Sequence, residues 1–475
     1  MNYGSKIKLS EMSTEVNLLT TKSSAERLIV FARYPSPGSA KTRLIPTLGA
    51  ERAAQLQRRL TQHTLKIGLE FQARRKASVE VRFTGCSKVE MQDLFGHEWF
   101  SYLPQCDGDL GDKLHHATVE AFASGTEKVV LIGTDCPDLG PEFLEQAFNA
   151  LSQSDVVLGP AADGGYTLIG MKAPCRELFL NIDWGTDRVL AQTRRACSNL
   201  KYAVQQLATL SDIDYPEDLL VCRRLSPIFD DILFTASNTR LISIVIPTLN
   251  EAPRLKATLA PLLGLENIEI IVVDGGSSDG TIEIAKQSSV RVISSSKGRG
   301  RQMNAGAALA SGEVILFLHA DTQLPTDFVD HVWHVLNQGS IAGAFRLRIG
   351  GQSIGKRIVE WGTQLRSSWR QLPYGDQAIF VRASDFYRMQ GYRNWPLMED
   401  YEFCQRLRRK GRIALANAEV QTSDRRWRKL GILRTTFRNQ CCILAYHCGI
   451  PIGRIAMYYY HGSWFHASQP KGVTQ

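Results

Sequence analysis

Two adjacent acids, Glu399 and Asp400, stand at the start of a helical pattern in the last third of the chain. Negative charge is favoured at a helix N-terminus, so simple capping would explain both residues. A carboxylate can also take the proton of a hydroxyl group that attacks an electrophile. We regard Asp400 as the better candidate for such a base and Glu399 as the second.

Another acid ends the apolar run Phe317-Leu-His-Ala-Asp321. Oxygen ligands suit Mg²⁺ and Mn²⁺, and such an ion would neutralise the charge that develops on a diphosphate leaving group. Asp321 is therefore a candidate metal ligand, although an ordinary loop acid is the alternative. The Gly375-Asp-Gln377 turn could help to shape a pocket for an acceptor.

Two further segments could hold a nucleotide. In Val-Val-Asp-Gly-Gly-Ser-Ser-Asp-Gly-Thr, glycines permit a close approach to a ligand, and the following helix start offers free N–H groups. Asp274 could accept hydrogen bonds from a base or ribose; the alternative is a turn in which Asp279 caps the helix. After a basic stretch, the guanidinium groups of Arg425-Arg-Trp427 could grip a diphosphate, although a solvated basic face is the usual explanation.

The N-terminal half carries its own candidates. Gly38, Lys41 and Arg43 lie in one loop that could cradle phosphates, although the spacing is not that of a P-loop. Asp135 follows an apolar run and is a candidate metal ligand. The alternatives are a basic surface loop and solvated acidic turns. The other ligand-binding candidates in this half are Asp109, Asp163 and Gly164.

Repeated α/β units must position these residues. Leu28–Ala32 and Ile242–Ile246 are short β-branched runs that end in turn residues and precede helical patterns. Ligands bind at the carboxyl ends of strands in such sheets, which is where the candidates fall. The pattern predicts two doubly wound Rossmann-type α/β domains in tandem. Other predicted strands are 79–83, 129–132, 156–158, 166–169, 268–273, 290–294, 314–318 and 378–381, and the predicted helices are 50–70, 110–123, 254–263, 281–287 and 300–310.

The 475 residues suggest two or three domains. We expect a disordered leader over 1–25, domains over 26–225 and 241–466, a linker over 226–240 and a tail over 467–475. Ten scattered cysteines without a Cys-x-x-Cys pair, and a polar N-terminus, favour reduced thiols and a cytoplasmic protein. The sequence contains no run of 18 apolar residues, so we predict no membrane-spanning helix.

The formal net charge of +9 is compatible with nucleic acid, an anionic membrane or phosphorylated small molecules as partners. No base-reading motif is present, so we expect small-molecule substrates and no nucleic acid. The basic C-terminal region, with its interrupted apolar segment 443–460, keeps peripheral membrane contact open beside a packed helix.

Four C-terminal motifs occur together in one order: Ile-Val-Ile-Pro-Thr-Leu-Asn-Glu251, the Asp274 loop, His-Ala-Asp321 and Glu-Asp400. Residues 240–465 thereby resemble family 2 glycosyltransferases of the GT-A fold. The resemblance implies inversion by direct displacement, a nucleotide-sugar donor, base contacts from Asp274 and the Glu251 region, Asp321 on the metal, and Asp400 as base. One departure is His319, which stands where an Asp-x-Asp triplet has its first acid. The donor-binding residues expected are Pro247, Asn250, Glu251, Asp274, Gly275, Lys297, Arg301, Arg425, Arg426 and Trp427.

Two finer resemblances follow. The Lys297-Gly-Arg-Gly-Arg301 and Arg425-Arg-Trp segments are similar to a subgroup named for arsenosugar biosynthesis and associated with radical-SAM and selenodomain genes. Residues 27–220, with Lys-Thr-Arg-Leu, Gly-Asp-Leu-Gly, Gly-Thr-Asp-Cys-Pro-Asp-Leu and Asp-Gly-Gly-Tyr, resemble the DUF2064 family, which is related in fold to guanylyltransferases. That resemblance implies a second GT-A-like domain and leaves glycosyl and nucleotidyl transfer open.

Together these features predict a fusion enzyme. We expect the C-terminal domain to transfer a hexosyl or pentosyl group from a nucleotide sugar to a small acceptor, with Mg²⁺ or Mn²⁺. We expect the N-terminal domain to be a transferase that uses a nucleotide or nucleotide sugar, in arsenosugar-type biosynthesis. The alternatives are a nucleotidyltransferase that makes the donor, a non-catalytic binding module, or a nucleic-acid-binding protein motivated by charge alone.

Overall fold

The computed structural model describes residues 24–96, 100–225, 229, 238–351 and 353–461. Two compact units emerge: residues up to Thr42 with Ala50–Asp214, and Arg43–Gly49 with the chain from Tyr215 onward. The predicted first domain extends to residue 225, whereas the first unit ends at Asp214. The predicted tail, most of the leader and most of the linker lie outside the described residues.

The first unit is built on a seven-stranded sheet. Its strands are β1 (Glu26–Arg33), β2 (Ser78–Thr84), β3 (Ser101–Pro104), β4 (Lys128–Ile132), β5 (Val156–Pro160), β6 (Tyr166–Met171) and β7 (Val204–Gln206). They lie in the order β3-β2-β1-β4-β6-β5-β7. The pairs among β3, β2, β1 and β4 are parallel, and β6 is antiparallel to both of its neighbours.

Helices flank this sheet. They are α2 (Ala50–Arg74), α3 (Lys88–Phe95), α4 (Leu110–Ala123), α5 (Pro141–Ala150) and α6 (Val189–Asn199). Leu28, Ile29 and Val30 in β1 are fully buried, as expected for a central strand that is covered on both faces. Two buried clusters share β1: one contains Leu28 and Val30, and the other contains Ile29.

The second unit has eight strands. They are β8 (Asn238–Thr248), β9 (Ile268–Asp274), β10 (Arg291–Ser294), β11 (Gly312–Phe317), β12 (Thr322–Gln323), β13 (Ala342–Ile349), β14 (Phe380–Arg382) and β15 (Ile413–Thr422). Their order is β10-β9-β8-β11-β14-β13-β15-β12. Strands β10, β9, β8 and β11 are parallel, and β14 is antiparallel to β11 and β13.

The helices of the second unit begin with α1 (Ile45–Leu48) and α7 (Leu219–Arg224). They continue as α8 (Ala252–Leu259), α9 (Thr281–Gln287), α10 (Arg299–Leu309), α11 (Phe328–Asn337), α12 (Ile354–Trp369), α13 (Ala383–Arg388), α14 (Glu399–Arg408), α15 (Arg425–Leu430), α16 (Ile432–His447) and α17 (Ile452–His461). Helix α7 is attached to α10 by Arg223, whose Nε donates to the carbonyl oxygen of Ala308 at 3.0 Å.

The two sheets share one connectivity. In each, four parallel strands are followed in space by an antiparallel strand, β6 or β14, that comes from later in the chain. The prediction of two tandem GT-A-like α/β domains is confirmed, but both sheets are mixed rather than wholly parallel. Local periodicity predicts that a strand exists, whereas its direction depends on the connection that precedes it.

Candidate active site

Asp400 is held in a fixed orientation in the first turn of α14. Its Oδ2 accepts a hydrogen bond from the N–H of Gly375 at 2.6 Å, and its Oδ1 accepts one from the N–H of Tyr401 at 2.7 Å. The side chain remains partly exposed. An ionised carboxylate has about four lone-pair positions, so capacity remains for a ligand hydroxyl group.

The side chains of His319 and Asp400 both lie close to Gly375. A Cβ atom at Gly375 would lie 2.8 Å from His319 Nε2 and 3.2 Å from Asp400 Oδ2. His319 follows β11, whereas Asp400 opens α14, so the fold brings a strand end and a helix start to one peptide. Burial, with a contribution from Arg299, lowers the pKa of His319 to about 3, which leaves the imidazole neutral.

Two buried polar atoms around this point, His319 Nε2 and the Tyr374 hydroxyl, make no hydrogen bond to any described residue. Burial raises the pKa of Tyr374 to about 12, so its phenol stays protonated and can donate. Buried polar atoms are normally paired, and hydroxyl groups of a bound ligand would supply the missing partners.

Glu399 is the less accessible of the two adjacent acids. It is 3% exposed, and its Oε1 lies 3.5 Å from Nη1 of Arg299. Burial raises the pKa of Glu399; Arg299 opposes the shift, and Asp400 adds to it. The geometry therefore favours Asp400 over Glu399 for contact with an acceptor.

Asp321, Glu251 and Arg425 form a second part of the site. Glu251 accepts hydrogen bonds from Arg254 at 3.1 Å and from Arg425 at 2.9 Å. Burial raises the pKa of Asp321, and the nearby charge of Glu251 acts in the same direction. Three residues that the motifs predicted separately are thus brought together around a partly buried acid.

The predicted metal at Asp321 stays a prediction. No group of three His, Cys, Asp or Glu side chains in the described parts of the chain is arranged to hold a metal. Burial and the charge of Glu251 raise the pKa of Asp321, and a divalent ion beside it would favour its charged form. An ion bound there would take one oxygen from Asp321 and its other ligands from a donor diphosphate and water, as Mg²⁺ commonly does.

The Asp274 loop is held by its own carboxylate. Asp274 is 1% exposed, and its Oδ2 accepts hydrogen bonds from the N–H groups of Gly276 and Ser277 at 2.8 and 2.9 Å. Asn250, with φ of 57°, joins this loop to the loop after β8, because its Oδ1 accepts from the N–H of Ser278 at 2.9 Å. The predicted contact of Asp274 with a base stays a prediction.

Gln302 is a positioning residue that the sequence did not reveal. Its buried Nε2 donates to the carbonyl oxygens of Thr248 and Val273 at 2.7 and 2.9 Å, and so joins the ends of β8 and β9. A Cβ atom at Gly275 would lie 3.0 Å from its amide carbon. The one available signal was a polar residue among the small residues of α10.

Asp279 is not the N-cap of α9, which is Gly280, but its carboxylate stabilises the loop by accepting from the N–H groups of Thr281 and Ala252, both at 3.2 Å. The remaining predicted donor residues are spread more widely. Lys297 is exposed, and Arg301 donates to Asn394 at 2.7 Å. Pro247 is buried within β8, Gly275 is buried and Trp427 is half-buried, while the side chain of Arg426 lies outside the described residues.

In the first unit, Lys41 is buried among oxygen atoms. Its side chain is 4% exposed, and its Nζ lies 3.1 Å from Asp135 and 3.3 Å from Asp214. It also donates to the carbonyl oxygen of Ile213. Burial would lower the pKa of Lys41, but the two carboxylates raise it above its ordinary value. An ammonium has three donors, and all three are used here rather than offered to a phosphate.

Asp212 completes this acidic group and was missed. Burial, together with Asp163 and Asp214, raises the pKa of Asp212 to about 6. The Ser-Asp-Ile-Asp segment after β7 was the available signal. The Lys41 ammonium lies 3.1 Å from Asp135 and 3.3 Å from Asp214, so Asp135 already has a cationic partner, and the predicted metal at Asp135 stays a prediction.

The other N-terminal candidates have local roles. Asp109 caps α4 reciprocally with Asp112, with N–H to oxygen distances of 2.9 and 3.4 Å. Gly164 has φ of 96°, and a Cβ atom there would lie 2.4 Å from the carbonyl oxygen of Asp187, so only glycine fits. Gly38 has φ of 84° and open space around it. Arg43 belongs to the second unit, where its guanidinium lies 5.1 Å from the centre of the Tyr215 ring.

Comparison with known proteins agrees with the resemblances to family 2 glycosyltransferases and to DUF2064. Residues 45–186 match the model of DUF2064, described as an uncharacterised protein conserved in bacteria, and residues 243–410 match glycosyl transferase family 2. The chain therefore carries a DUF2064 region followed by a family 2 glycosyltransferase region. No described helix is long and apolar enough to cross a membrane.

Individual relatives share part of the chain. The undecaprenyl-phosphate 4-deoxy-4-formamido-L-arabinose transferase of Aeromonas hydrophila is 27% identical over 23% of this chain and 38% of its own length. The dolichol-phosphate mannosyltransferase of Pyrococcus furiosus is 35% identical over 25% of this chain and 36% of its own. The chain thus spans less than two fifths of these curated relatives. A crystal structure from Desulfovibrio desulfuricans G20, described as a nucleotide-diphospho-sugar transferase, is 32% identical over 43% of this chain and 88% of its own, with a TM-score of 0.39.

Proposed function

We propose that the second unit is an inverting glycosyltransferase, which moves a sugar from a nucleotide-sugar donor to a hydroxyl group of an acceptor. The observation that carries this proposal is that His319 Nε2, a buried atom without a hydrogen-bond partner, and the carboxylate of Asp400 both lie close to Gly375, near the unpartnered hydroxyl of Tyr374. The family 2 match and relatives named as glycosyltransferases support the same reaction class.

In this proposal Asp400 is the base. Its carboxylate, fixed by the N–H groups of Gly375 and Tyr401, takes the acceptor proton as the acceptor oxygen forms its bond to the anomeric carbon. The bond from that carbon to the diphosphate oxygen breaks on the opposite face. A direct displacement of this kind inverts the anomeric configuration.

The leaving group departs toward the basic side of the site. Arg425 is 49% exposed and already paired with Glu251, so it can turn part of its fork toward a diphosphate. A divalent ion held at Asp321 would neutralise charge on the same diphosphate. Neutral His319 and the Tyr374 hydroxyl would bind hydroxyl groups of the sugar or the acceptor, because both lack other partners.

We propose a bifunctional arrangement in which the first unit handles a nucleotide or nucleotide sugar and the second transfers the sugar to a small acceptor, in arsenosugar-type biosynthesis. The resemblance of the first unit to a family related in fold to guanylyltransferases motivates the first part, and the Lys297 and Arg425 motifs motivate the last. One observation favours a second candidate, a binding module without turnover. The donors of Lys41 are saturated by protein oxygens, which leaves the first unit without the cation that its loop was predicted to offer.

A panel of nucleotide sugars tests the second unit. The full chain, with Mn²⁺ or Mg²⁺, is expected to release one nucleoside diphosphate slowly, and Asp321→Ala is expected to abolish this release. Asp327→Ala is the matched control, because Asp327 is an exposed acid that pairs with His331 on α11. Equal rates in wild type and Asp321→Ala would contradict the assignment of Asp321.

The role of the first unit is tested in the same assay. Asp135→Ala should leave the donor hydrolysis of the second unit unchanged under either candidate. It should abolish turnover of nucleoside triphosphate or nucleotide sugar by the first unit if that unit is an enzyme. A first unit that binds nucleotide with no turnover in wild type would establish the binding module instead.

A further inference from the structure

Helix α12 exposes its apolar side chains and buries polar ones, which is the reverse of a helix that packs only on its own domain. Its large apolar side chains face solvent at intervals of four, three, four and four residues, while its buried positions are Thr363 and Ser367. The exposed set is Ile354 (83%), Ile358 (63%), Trp361 (66%), Leu365 (39%) and Trp369 (82%). One continuous stripe of this size needs a partner, unlike scattered single apolar residues.

Helix α16 carries exposed apolar residues of its own. It exposes Leu433 (86%), Phe437 (68%) and Leu444 (67%). The two helices touch near their N-termini, where a Cβ atom at Gly355 would lie 2.8 Å from Cδ1 of Ile432. We call the five exposed residues of α12 and the three of α16 the apolar face.

The charge on the helices around the apolar face is predominantly positive. Helices α15, α16 and α17 contain no acid, and the one acid in α12, Glu360, accepts a hydrogen bond from the N–H of Ile349 at 2.7 Å. The whole chain has 47 acids against 56 basic residues, so this absence is local. Exposed basic side chains on or beside the two helices are Arg357, Arg370, Arg434 and Arg428, the last of which pairs with Asp424.

The apolar face and the positive charge around it favour one binding partner over another. In a symmetric dimer each residue near the axis faces its own copy, so a second chain would set arginines against arginines with little acid to compensate. An anionic bilayer instead supplies phosphate groups for the arginines and hydrocarbon for the apolar side chains. Tryptophan is favoured at the boundary between the two layers.

We propose that the apolar face is a docking surface for an anionic membrane, with α12 and α16 lying in the plane of the lipid headgroups. No described helix can span a bilayer, so the contact is peripheral. The proposal is independent of the reaction assigned to Asp400. It places the attachment mainly on α12, which precedes the segment 443–460 where the sequence suggested membrane contact, and only Leu444 of the apolar face lies within that segment.

Vesicle co-sedimentation of the full chain tests the proposal. We expect binding to phosphatidylcholine vesicles that contain one third phosphatidylglycerol, and at least about tenfold weaker binding to phosphatidylcholine alone. The double variant Ile358→Glu/Trp361→Glu should lose at least about tenfold in binding to the anionic vesicles. The matched control is Val89→Glu/Leu180→Glu, which changes two residues of the first unit that are 62% and 45% exposed, and it should bind as wild type does.

Other results would overturn the proposal. Wild type that fails to sediment with either vesicle, or an Ile358→Glu/Trp361→Glu variant that sediments like wild type, would exclude this surface as a membrane contact. Wild type that dimerises in solution, with the dimer lost in the same variant and no vesicle binding, would assign the face to a second copy of the chain. Circular dichroism and thermal melting of each variant verify that folding is retained.

Discussion

In each unit an acid follows a central parallel strand, but the charged residues around that acid differ between the two units. Asp135 follows β4 and lies against the buried ammonium of Lys41. Asp321 follows β11 and lies near another acid, Glu251, while the arginine beside it, Arg425, is half exposed. The comparison teaches that acids at equivalent positions of one fold can differ in chemistry, because distant parts of the chain place different cations beside them. Asp135 is paired with a buried ammonium, whereas the arginine near Asp321 is half exposed.

The largest effect should come from Asp400, the proposed base of the second unit. Asp400→Asn keeps the shape of the side chain but cannot accept the acceptor proton, so we expect transfer to slow by about 10²–10⁴-fold. Donor affinity should change little, since the donor contacts lie elsewhere. The rate of product formation at saturating donor reports on transfer, and a titration of the donor reports on its affinity.

Glu399→Gln is the matched control for this prediction. Glu399 is 3% exposed and burial raises its pKa, so loss of its charge should alter the rate much less. If Glu399→Gln slowed transfer as far as Asp400→Asn, the choice between the two adjacent acids would be reversed.

A second prediction concerns the narrow space at Gly375. The methyl group of Gly375→Ala would meet His319 Nε2 at 2.8 Å and must displace His319 or Asp400. Displacement of a catalytic group by about 1 Å can lower a rate about a hundredfold, and we expect a loss between about ten- and a hundredfold. Gly362→Ala in α12, where a Cβ atom meets nothing within 4 Å, is the control. A rate for Gly375→Ala equal to that of this control would remove the strongest support for the site.

The sequence was informative about the framework and the acids. Runs such as Leu28–Ala32 and Ile242–Ile246 predicted the central strands because both faces of those strands are covered. The motif order predicted that Glu251, Asp321 and Asp400 belong to one site. Strands β13 and β15 were not predicted, and neither was the antiparallel direction of β6 and β14, because these depend on pairing between distant segments.

The same reason explains the errors around Lys41. The loop suggested a cation that faces a phosphate, but Asp214, 173 residues later, and Asp135 receive its ammonium. Asp212 and Gln302 were missed because their importance lies in contacts that no local pattern encodes. Helix α12 shows the apolar spacing of an ordinary core-facing helix, so only the structure reveals that the spacing faces outward.

The third prediction measures how far Lys41 stabilises the first unit. Lys41→Met removes the ammonium and leaves Asp135 and Asp214 without it, and breaking a buried ion pair is strongly destabilising. Because those carboxylates are 44% and 35% exposed, solvent screens part of the cost, and we expect a loss of about 1–3 kcal/mol in the free energy of unfolding. Hydrogen exchange of β1 and β4 peptides reports on this unit alone.

Lys66→Met, at a side chain that is 66% exposed, is the control and should cost little. Transfer by the second unit should be unchanged in both variants. If Lys41→Met were as stable as Lys66→Met, Lys41 would be free to serve a ligand, and the contrast between the two units would disappear.

The smallest effect should be the pH dependence contributed by Asp212. Its pKa is about 6 in the folded chain, above its ordinary value of 3.8, so the folded state holds more protons than the unfolded state between about pH 4 and 6. The stability of the first unit should therefore fall as pH rises through this window and then level off. Asp212→Asn should remove this slope, a change on the order of 1 kcal/mol after allowance for partial exposure. Urea unfolding at the two ends of the window, followed by hydrogen exchange of β5 and β6 peptides, measures it, with Asp93→Asn in α3 as the control. An unchanged slope in Asp212→Asn would contradict the raised pKa of Asp212. It would mean that the charge of Asp212 is compensated by its surroundings in the folded chain.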